Sequence, residues 1–265
     1  MASDAKGNAA SEAAESRNFV TAFARGLAII ETFGAGNRAL TVAAVAKRTG
    51  VDRAVARRLL LTLVELGFAH VYEKRFELTT RVLRLAYSFL SSAGLGAALQ
   101  PFLDELARSI GEAVSIAVLD DAEAVFVARA DVPGRRLSYV IATGMRLPAF
   151  TSSAGRILLA HRSRGEVQRL LAQTRMVRYT RHTLMQKRDL MAVITKAGTL
   201  GYSINYEEIE DGLISLSVPV VNRAGLVVAS LNVSTGVSRS NDAKLKGDYL
   251  SKLKATAAEL TSMLP

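Results

Sequence analysis

The 265-residue chain contains no cysteine and only three histidines, His70, His161 and His182. Without cysteine there are no disulfide frameworks and no thiolate metal sites, which suits a reducing cytosol. No H-E-x-x-H, G-x-S-x-G or C-x-x-C pattern accompanies the histidines, so each is expected as an ordinary core or surface residue. Catalysis, bound metals and cofactors are therefore not expected. A long apolar run is missing too. The longest uncharged stretch, Leu85 to Leu103, is broken by Ser88, Ser91, Ser92, Gly94, Gly96, Gln100 and Pro101, too polar for a hydrocarbon core. No signal-peptide pattern opens the chain, and Met1 to Asn18, rich in Ala, Ser and Gly, reads as a disordered tail. These absences predict a soluble cytoplasmic protein that makes no membrane contact.

Acidic residues are also outnumbered, 24 against 34 Lys and Arg, giving a net charge of +10. Residues 25–84 hold 11 Lys/Arg against 5 Asp/Glu, so +6 of that charge sits in one short stretch and +4 outside it. Within the stretch, Thr41 to Leu66 reads as two helices joined by a turn around Gly50, the spacing of a helix-turn-helix. Thr41 is expected to cap the first helix and Asp52 the second through side-chain oxygens. At 100° per residue, Val55, Leu59, Thr62, Leu63 and Leu66 fall on one side of the second helix, while Arg53, Ala54, Arg57 and Leu61 fall on the other with Arg58 on the flank. Arginines on a helix face are commonly only a solvated surface. Here the flanking segments argue for more. Apolar residues at 23, 27, 30 and 33 predict a helix packed on the pair. After Gly67, residues 68–72, 73–75 and 76–78 read as strand, turn and strand, with Lys74 and Arg75 at a wing tip facing phosphates. A winged module with this charge predicts duplex DNA binding, Arg53 and Arg57 reaching base edges and Arg58 the backbone.

Thr79 to Leu90 reads as a helix with an apolar stripe through Val82, Leu83, Leu85, Ala86 and Phe89, and the Ser-Gly-rich segment 91–96 marks a boundary. Beyond it, an opening helix precedes strands at 113–119, 124–130 and 137–142, and helices at 153–160, 165–171 and 188–200. Strands 213–221 and 226–234 flank a hairpin turn at 222–225, and an amphipathic helix runs over 244–263. This is a mostly antiparallel sheet with flanking helices, an α+β class domain. The chain therefore divides into a tail (1–18), a winged helix-turn-helix (19–78), a linker helix (79–94) and a second domain (95–265).

Other motifs carry less. Gly34, Gly36 and Ala39 satisfy G-x-G-x-x-A, but a helix precedes them and no helix follows at once, so a loop is expected rather than a nucleotide site. Glu207, Glu208, Glu210 and Asp211 match no EF-hand spacing and are expected as surface acidity between strands. A nucleoid protein would need the basic module but no second domain of this size. An enzyme fused to it would need a catalytic constellation that is missing.

Several segments together resemble the IclR family of bacterial transcriptional regulators: 25–33, 52–68, 76–85, 115–129, 144–160, 205–220 and 230–235. The arginines at 53, 57 and 58 followed by LLLTL resemble the branch controlling 4-hydroxybenzoate, protocatechuate and β-ketoadipate catabolism. The resemblance implies operator DNA as one partner and an effector-binding second domain, with self-association as a dimer or dimer of dimers around 79–90. It places Ser153, Ala154, Asn205, Leu213, Ser215, Asn232 and Ser234 around the effector cavity, together with Leu137 and Tyr139. Strand alternation puts 213 with 215, and 232 with 234, on common faces. The helix start at Thr151-Ser152-Ser153 offers N–H groups to a carboxylate, and Leu213 and Tyr139 could cover its carbon body. Many family members carry aspartate where this chain has Asn205, a loss of negative charge that suits an acidic effector. The reading is a regulator of aromatic-compound catabolic genes, or, as the alternative, of another carbon-source pathway.

Overall fold

Helix-spaced apolar residues collect into a small core near the N-terminus and a larger one beyond it. The computed structural model describes residues 18–34, 36–92, 94, 95, 97–134 and 141–264. Except for Asn18, the expected tail lies outside the described residues. The chain divides into two compact units, Met1–Phe89 and Leu90–Pro265.

The first unit holds α1 (Thr21–Glu31), β1 (Leu40–Thr41), α2 (Val42–Thr49), α3 (Arg53–Glu65), β2 (Ala69–Tyr72) and β3 (Arg75–Leu78). The strands form an antiparallel sheet in the order β1-β3-β2. Thr41 caps α2, its Oγ1 accepting from Ala44 N at 3.3 Å. Gly50 ends that helix at φ 70°, a left-handed turn that costs glycine little and points the chain into α3. Asp52 occupies the N-cap position of α3 without a side-chain bond. Its carboxylate is exposed, and water already solvates it, so little is lost by leaving the bond unmade.

Packing turns α3 from its expected orientation and leaves two of the expected apolar positions of α1 in solvent. Ile29 is the fully buried residue of α1, and Ile30 and Phe33 pack on the core as expected, while Phe23 remains 68% exposed and Leu27 is exposed as well. In α3 the buried positions are Ala56, Leu60 and Leu63, a face rotated roughly 80° from the expected one of Val55, Leu59, Thr62, Leu63 and Leu66, with Leu63 common to both. The core they enter includes Leu40, Val45, Ala69 and Phe76 from both sheet and helices, and that sheet, not the helix's own hydropathy, selects the face. Gly34 and residues 36–39 lie in a loop, as expected. A 3-10 turn, Thr80–Val82, leads to α4 (Leu83–Ser92), none of whose residues is buried.

The second unit opens with α5 (Gln100–Ile110) and builds a six-stranded sheet from β4 (Ala113–Asp120), β5 (Glu123–Ala130), β6 (Arg146–Pro148), β7 (Ser203–Tyr206), β8 (Leu213–Val221) and β9 (Val227–Gly236). The order is β6-β5-β4-β9-β8-β7 and every pairing is antiparallel. Helices α6 (Ser153–Leu159), α7 (Arg164–Gln173) and α8 (Lys187–Leu200) lie between β6 and β7 in sequence. The expected strand over 137–142 falls largely on 135–140, outside the described residues, and Ile141 and Ala142 are not in a strand. β6 and β7 were not expected. Both are short edge strands whose pairing comes from β5 and β8 rather than from alternation of their own. The C-terminal helix is interrupted: α9 (Asp242–Lys244) passes through a π turn, Leu245–Tyr249, into α10 (Leu250–Thr261).

Register sorts the sheet residues onto two faces. Val114, Leu216, Val218, Leu231 and Val233 join Leu103, Leu106, Tyr249, Leu253 and Leu260 in one apolar core against α5 and α10. On the other face, Asn205 pairs with Ser215 and Ser215 with Ser234, while Ser203 pairs with Ser217, Ser217 with Asn232 and Asn232 with Ser115. Directly opposed residues share a face, so two rows of small polar side chains lie together. Helix α6 packs across β4, β8 and β9.

Candidate functional site

Two surfaces warrant chemical analysis, one in each unit. On the first, Arg53, Ala54, Arg57 and Arg58 are exposed at the N-terminal end of α3, and Leu61 is partly buried against the core. None of the three guanidinium groups makes an ion pair or hydrogen bond with another described side chain, so all are available to phosphates or base edges. The wing turn is Glu73-Lys74, at φ 47° and 65°, the double left-handed geometry that matches hairpin twist. Lys74 is therefore at the tip. Arg75, expected beside it, is instead the first residue of β3, pairing with Tyr72 and Thr41, and its Nη1 donates to the Ala39 carbonyl at 3.4 Å. That bond ties the side chain to the body of the module. Thr41 is likewise occupied as a cap.

On the second surface, Phe126, Leu147, Ser153, Ala154, Asn205 and Leu213 line a cavity together with Ser215, Asn232 and Ser234. The structure thus brings together seven of the residues placed at the effector site from the resemblance. Leu137 and Tyr139 lie outside the described residues. Ser152, Ile141 and Ile209 also line the cavity. Leu147 and Ile141 join Ala117, Phe126 and Ala154 in an apolar wall, and Ala117 shares the sheet face of Ser115 beside the polar rows.

The polar groups satisfy one another. Ser153 Oγ donates to Ser215 Oγ at 2.9 Å and lies 2.8 Å from Ser217 Oγ. Asn232 Nδ2 donates to Ser153 Oγ at 3.1 Å and Ser217 Oγ at 3.0 Å, while Ser234 Oγ donates to Asn232 Oδ1 at 3.1 Å. Ser217 was missed by the sequence reading, although it follows Leu213 and Ser215 on the same strand face at the same two-residue step. Asn205 Nδ2 donates to the Thr151 carbonyl at 2.6 Å and its Oδ1 accepts from Glu208 N at 3.3 Å. Two backbone groups at the helix entrance therefore depend on an amide, which offers both a donor and an acceptor; an ionised aspartate would offer only acceptors. At the start of α6, Ser152 Oγ accepts from Gly155 N at 3.1 Å, taking one of the orphan N–H groups. The remaining cavity is about 20 Å³, roughly the space of one water molecule.

Beneath the entrance lies a buried ion pair. Arg156 Nη1 and Nη2 donate to Glu208 Oε1 and Oε2 at 2.5 and 2.7 Å, and Arg156 Nε donates to the Phe150 carbonyl at 2.8 Å. Glu208 Oε2 also accepts from Leu184 N at 3.0 Å. The expectation of surface acidity fails for Glu208, which is buried because the fold sets it against Arg156, itself buried. Glu207 and Asp211 stay near the surface beside His182. Gly155 permits the close approach of α6: a Cβ there would stand 2.2 Å from Ala149 Cα.

Comparison with known proteins finds a match for each unit. Residues 22–71 match the IclR helix-turn-helix domain and residues 87–262 the C-terminal domain of the bacterial transcriptional regulator IclR. The chain is 36% identical over 247 residues to the Pca regulon regulatory protein of Pseudomonas putida, covering 93% of this chain and 85% of the relative. It is 36% identical over 258 residues to the p-hydroxybenzoate hydroxylase transcriptional activator of Acinetobacter baylyi, covering 96% and 95%. Among solved structures, it is similar to a double mutant of the PobR transcription factor inducer-binding domain from Acinetobacter in complex with 3-hydroxybenzoic acid. That likeness has a TM-score of 0.60 at 30% identity and covers 63% of this chain and 97% of the other. With both domain types in order and such relatives along nearly its whole length, the chain belongs to the IclR family of bacterial transcriptional regulators.

Proposed function

We propose that this protein is a cytoplasmic, sequence-specific regulator of aromatic-compound catabolic genes whose operator binding responds to a small aromatic or dicarboxylic acid. The observation that carries this reading is identity of 36% along more than nine-tenths of the chain to two regulators of such genes. The winged module, residues 19–78, reads DNA with Arg53 and Arg57 at base edges and Arg58 and Lys74 on phosphates. The domain over 95–265 takes the effector between the sheet and the start of α6.

The cavity of about 20 Å³ is far below the roughly 300 Å³ at which small-molecule sites begin. An acid can enter only if α6 and the polar rows move apart. The ligand would then take over hydrogen bonds that Ser153, Ser215 and Asn232 now give each other, with Leu213 and Phe126 against its ring. A ligand that requires such an opened arrangement necessarily binds two conformations unequally, which is the condition for shifting an equilibrium. Calorimetry with protocatechuate, 4-hydroxybenzoate and β-ketoadipate tests the reading. Wild type should bind at least one of them, and Ala154→Phe, which fills the cavity, should lose that binding and keep operator affinity. If wild type binds none, the effector belongs to another carbon-source pathway; if the variant binds normally, the pocket lies elsewhere.

One recognition helix covers few base pairs, so self-association is part of the proposal. On α4, Leu83 and Phe89 are 66% and 50% exposed, and Leu85 and Tyr87 are exposed with them. A second copy that covers this stripe removes apolar surface from water. Phe89→Asp should shift sedimentation toward monomer and weaken operator binding in parallel. A dimer that persists at low micromolar concentration would place the interface elsewhere.

A further inference from the structure

The +4 outside the winged module is not spread evenly. Residues 161–200 contain nine Lys/Arg against only Glu166 and Asp189, a net of +7, so the chain outside both basic stretches is negative. All nine cations are exposed. The one ion pair that any of them makes among the described residues is Arg188 with Asp189 at 3.3 Å, where Arg188 is 93% exposed. Such a pair contributes little in water.

The fold brings three of these charges together. Val167, Leu170 and Leu171 of α7 and Leu190 and Ile194 of α8 are buried in one apolar cluster, which commits the polar sides of both helices to solvent. Between them, Arg164, Arg188 and Lys196 line an open groove of about 700 Å³ that no acidic side chain borders. Concentrated charge of one sign is unfavourable in isolation and becomes favourable when an anion takes the place of counterions.

We propose that this face of the effector domain is a second DNA-contacting surface, which holds duplex phosphates without reading bases. Two of the three groove cations, Arg164 and Arg188, are arginine, whose planar fork matches phosphate oxygens in a bidentate way. Protein-binding patches, by contrast, are depleted of charge at their centre. The inference rests on the reading of this chain as a DNA-binding regulator, because that function brings a duplex into reach.

The test uses the full-length protein and a mixed-sequence duplex of about 60 base pairs, with affinity measured by fluorescence anisotropy between about 50 and 200 mM salt. Arg164→Gln, Arg188→Gln and Lys196→Gln are combined in one variant. Three lost phosphate contacts should reduce the logarithmic salt slope by about 2.7, so wild type loses about 40-fold more affinity than the variant across that range. An unchanged slope overturns the proposal; if wild type also binds poly-L-glutamate and the variant does not, the face belongs to an acidic protein. Arg53→Ala/Arg57→Ala in the same assay reports on the winged module. If that variant keeps the wild-type slope while the groove variant loses it, the helix-turn-helix reading fails and the groove stands. Should the triple variant fold poorly, a photo-crosslinking residue at exposed Ala192 in an otherwise wild-type chain decides. DNA adducts from that position support the surface, and their absence overturns it.

Discussion

The winged module and the effector domain treat their polar side chains in opposite ways. In the module, Arg53, Arg57, Arg58 and Lys74 stand in solvent with no partner among the described residues, ready before any DNA arrives. In the effector domain, Ser153, Ser215, Ser217, Asn232 and Ser234 are bonded to each other around a cavity too small for an organic acid. A surface for phosphates gains from staying open, since water solvates the waiting charges at little cost. A buried site has no water to do so, and its polar atoms must pair internally until a ligand replaces the partner. One unit is preformed and the other must be opened.

The contrast is broken most severely by removing one half of the buried ion pair. Glu208→Leu would leave Arg156 charged, buried and unpaired, and should destabilise the effector domain by about 3–5 kcal/mol in denaturant titration. The exposed cations of α3 should show no comparable effect on folding. A loss under about 1 kcal/mol would mean that Arg156 finds solvent or another acceptor. At the DNA surface, Arg57→Ala should reduce discrimination between operator and random duplex by about 1–3 kcal/mol without altering stability. Lys74→Ala sharpens this by contrast: it should weaken both duplexes evenly and lower the salt slope by about 1. Equal losses on both duplexes for Arg57→Ala would remove that arginine from base readout.

A smaller effect concerns the exposed network where β7 meets the C-terminal helix. Hydrogen bonds from Lys246 and then Tyr206 hold the Asp242 carboxyl below its ordinary 3.8, and burial together with the Asp242 bond pushes the Tyr206 hydroxyl well above 10.0. Because the folded carboxyl is the stronger acid, its stabilisation is present above the ordinary value and is lost as pH falls through the depressed one. Asp242→Asn should therefore lower the melting midpoint slightly at neutral pH, with the difference closing in strong acid. A difference that persists there would point to packing, not charge.

Much of this molecule was legible one segment at a time. The helix-turn-helix could be read from local signals: Thr41 ahead of an apolar period, Gly50 at the turn, and Gly67 before a short hairpin. Strands β8 and β9 were legible because their β-branched runs are long and the Asn222-to-Gly225 turn joins them. Edge strands β6 and β7 were not, since three or four residues carry too little pattern and take their conformation from a neighbour. At the pocket, resemblance supplied most of the lining residues, while Ser217, which bonds to Ser153 and Asn232 behind them, could have been found from its two-residue step.

The sequence by itself determined the order of the longer helices and strands, the basic winged module and the small polar residues set at alternate positions along β8 and β9. These depend on local propensity and periodicity, which act over a few residues. Tertiary structure alone decided which face of α3 is buried, that Arg75 belongs to a strand and that Glu208 lies in the core rather than on the surface. It also decided that Arg164, Arg188 and Lys196 share one groove. Each of these depends on which distant residue occupies the adjoining space. A side chain's burial and pairing are properties of that neighbour as much as of its own position in the chain.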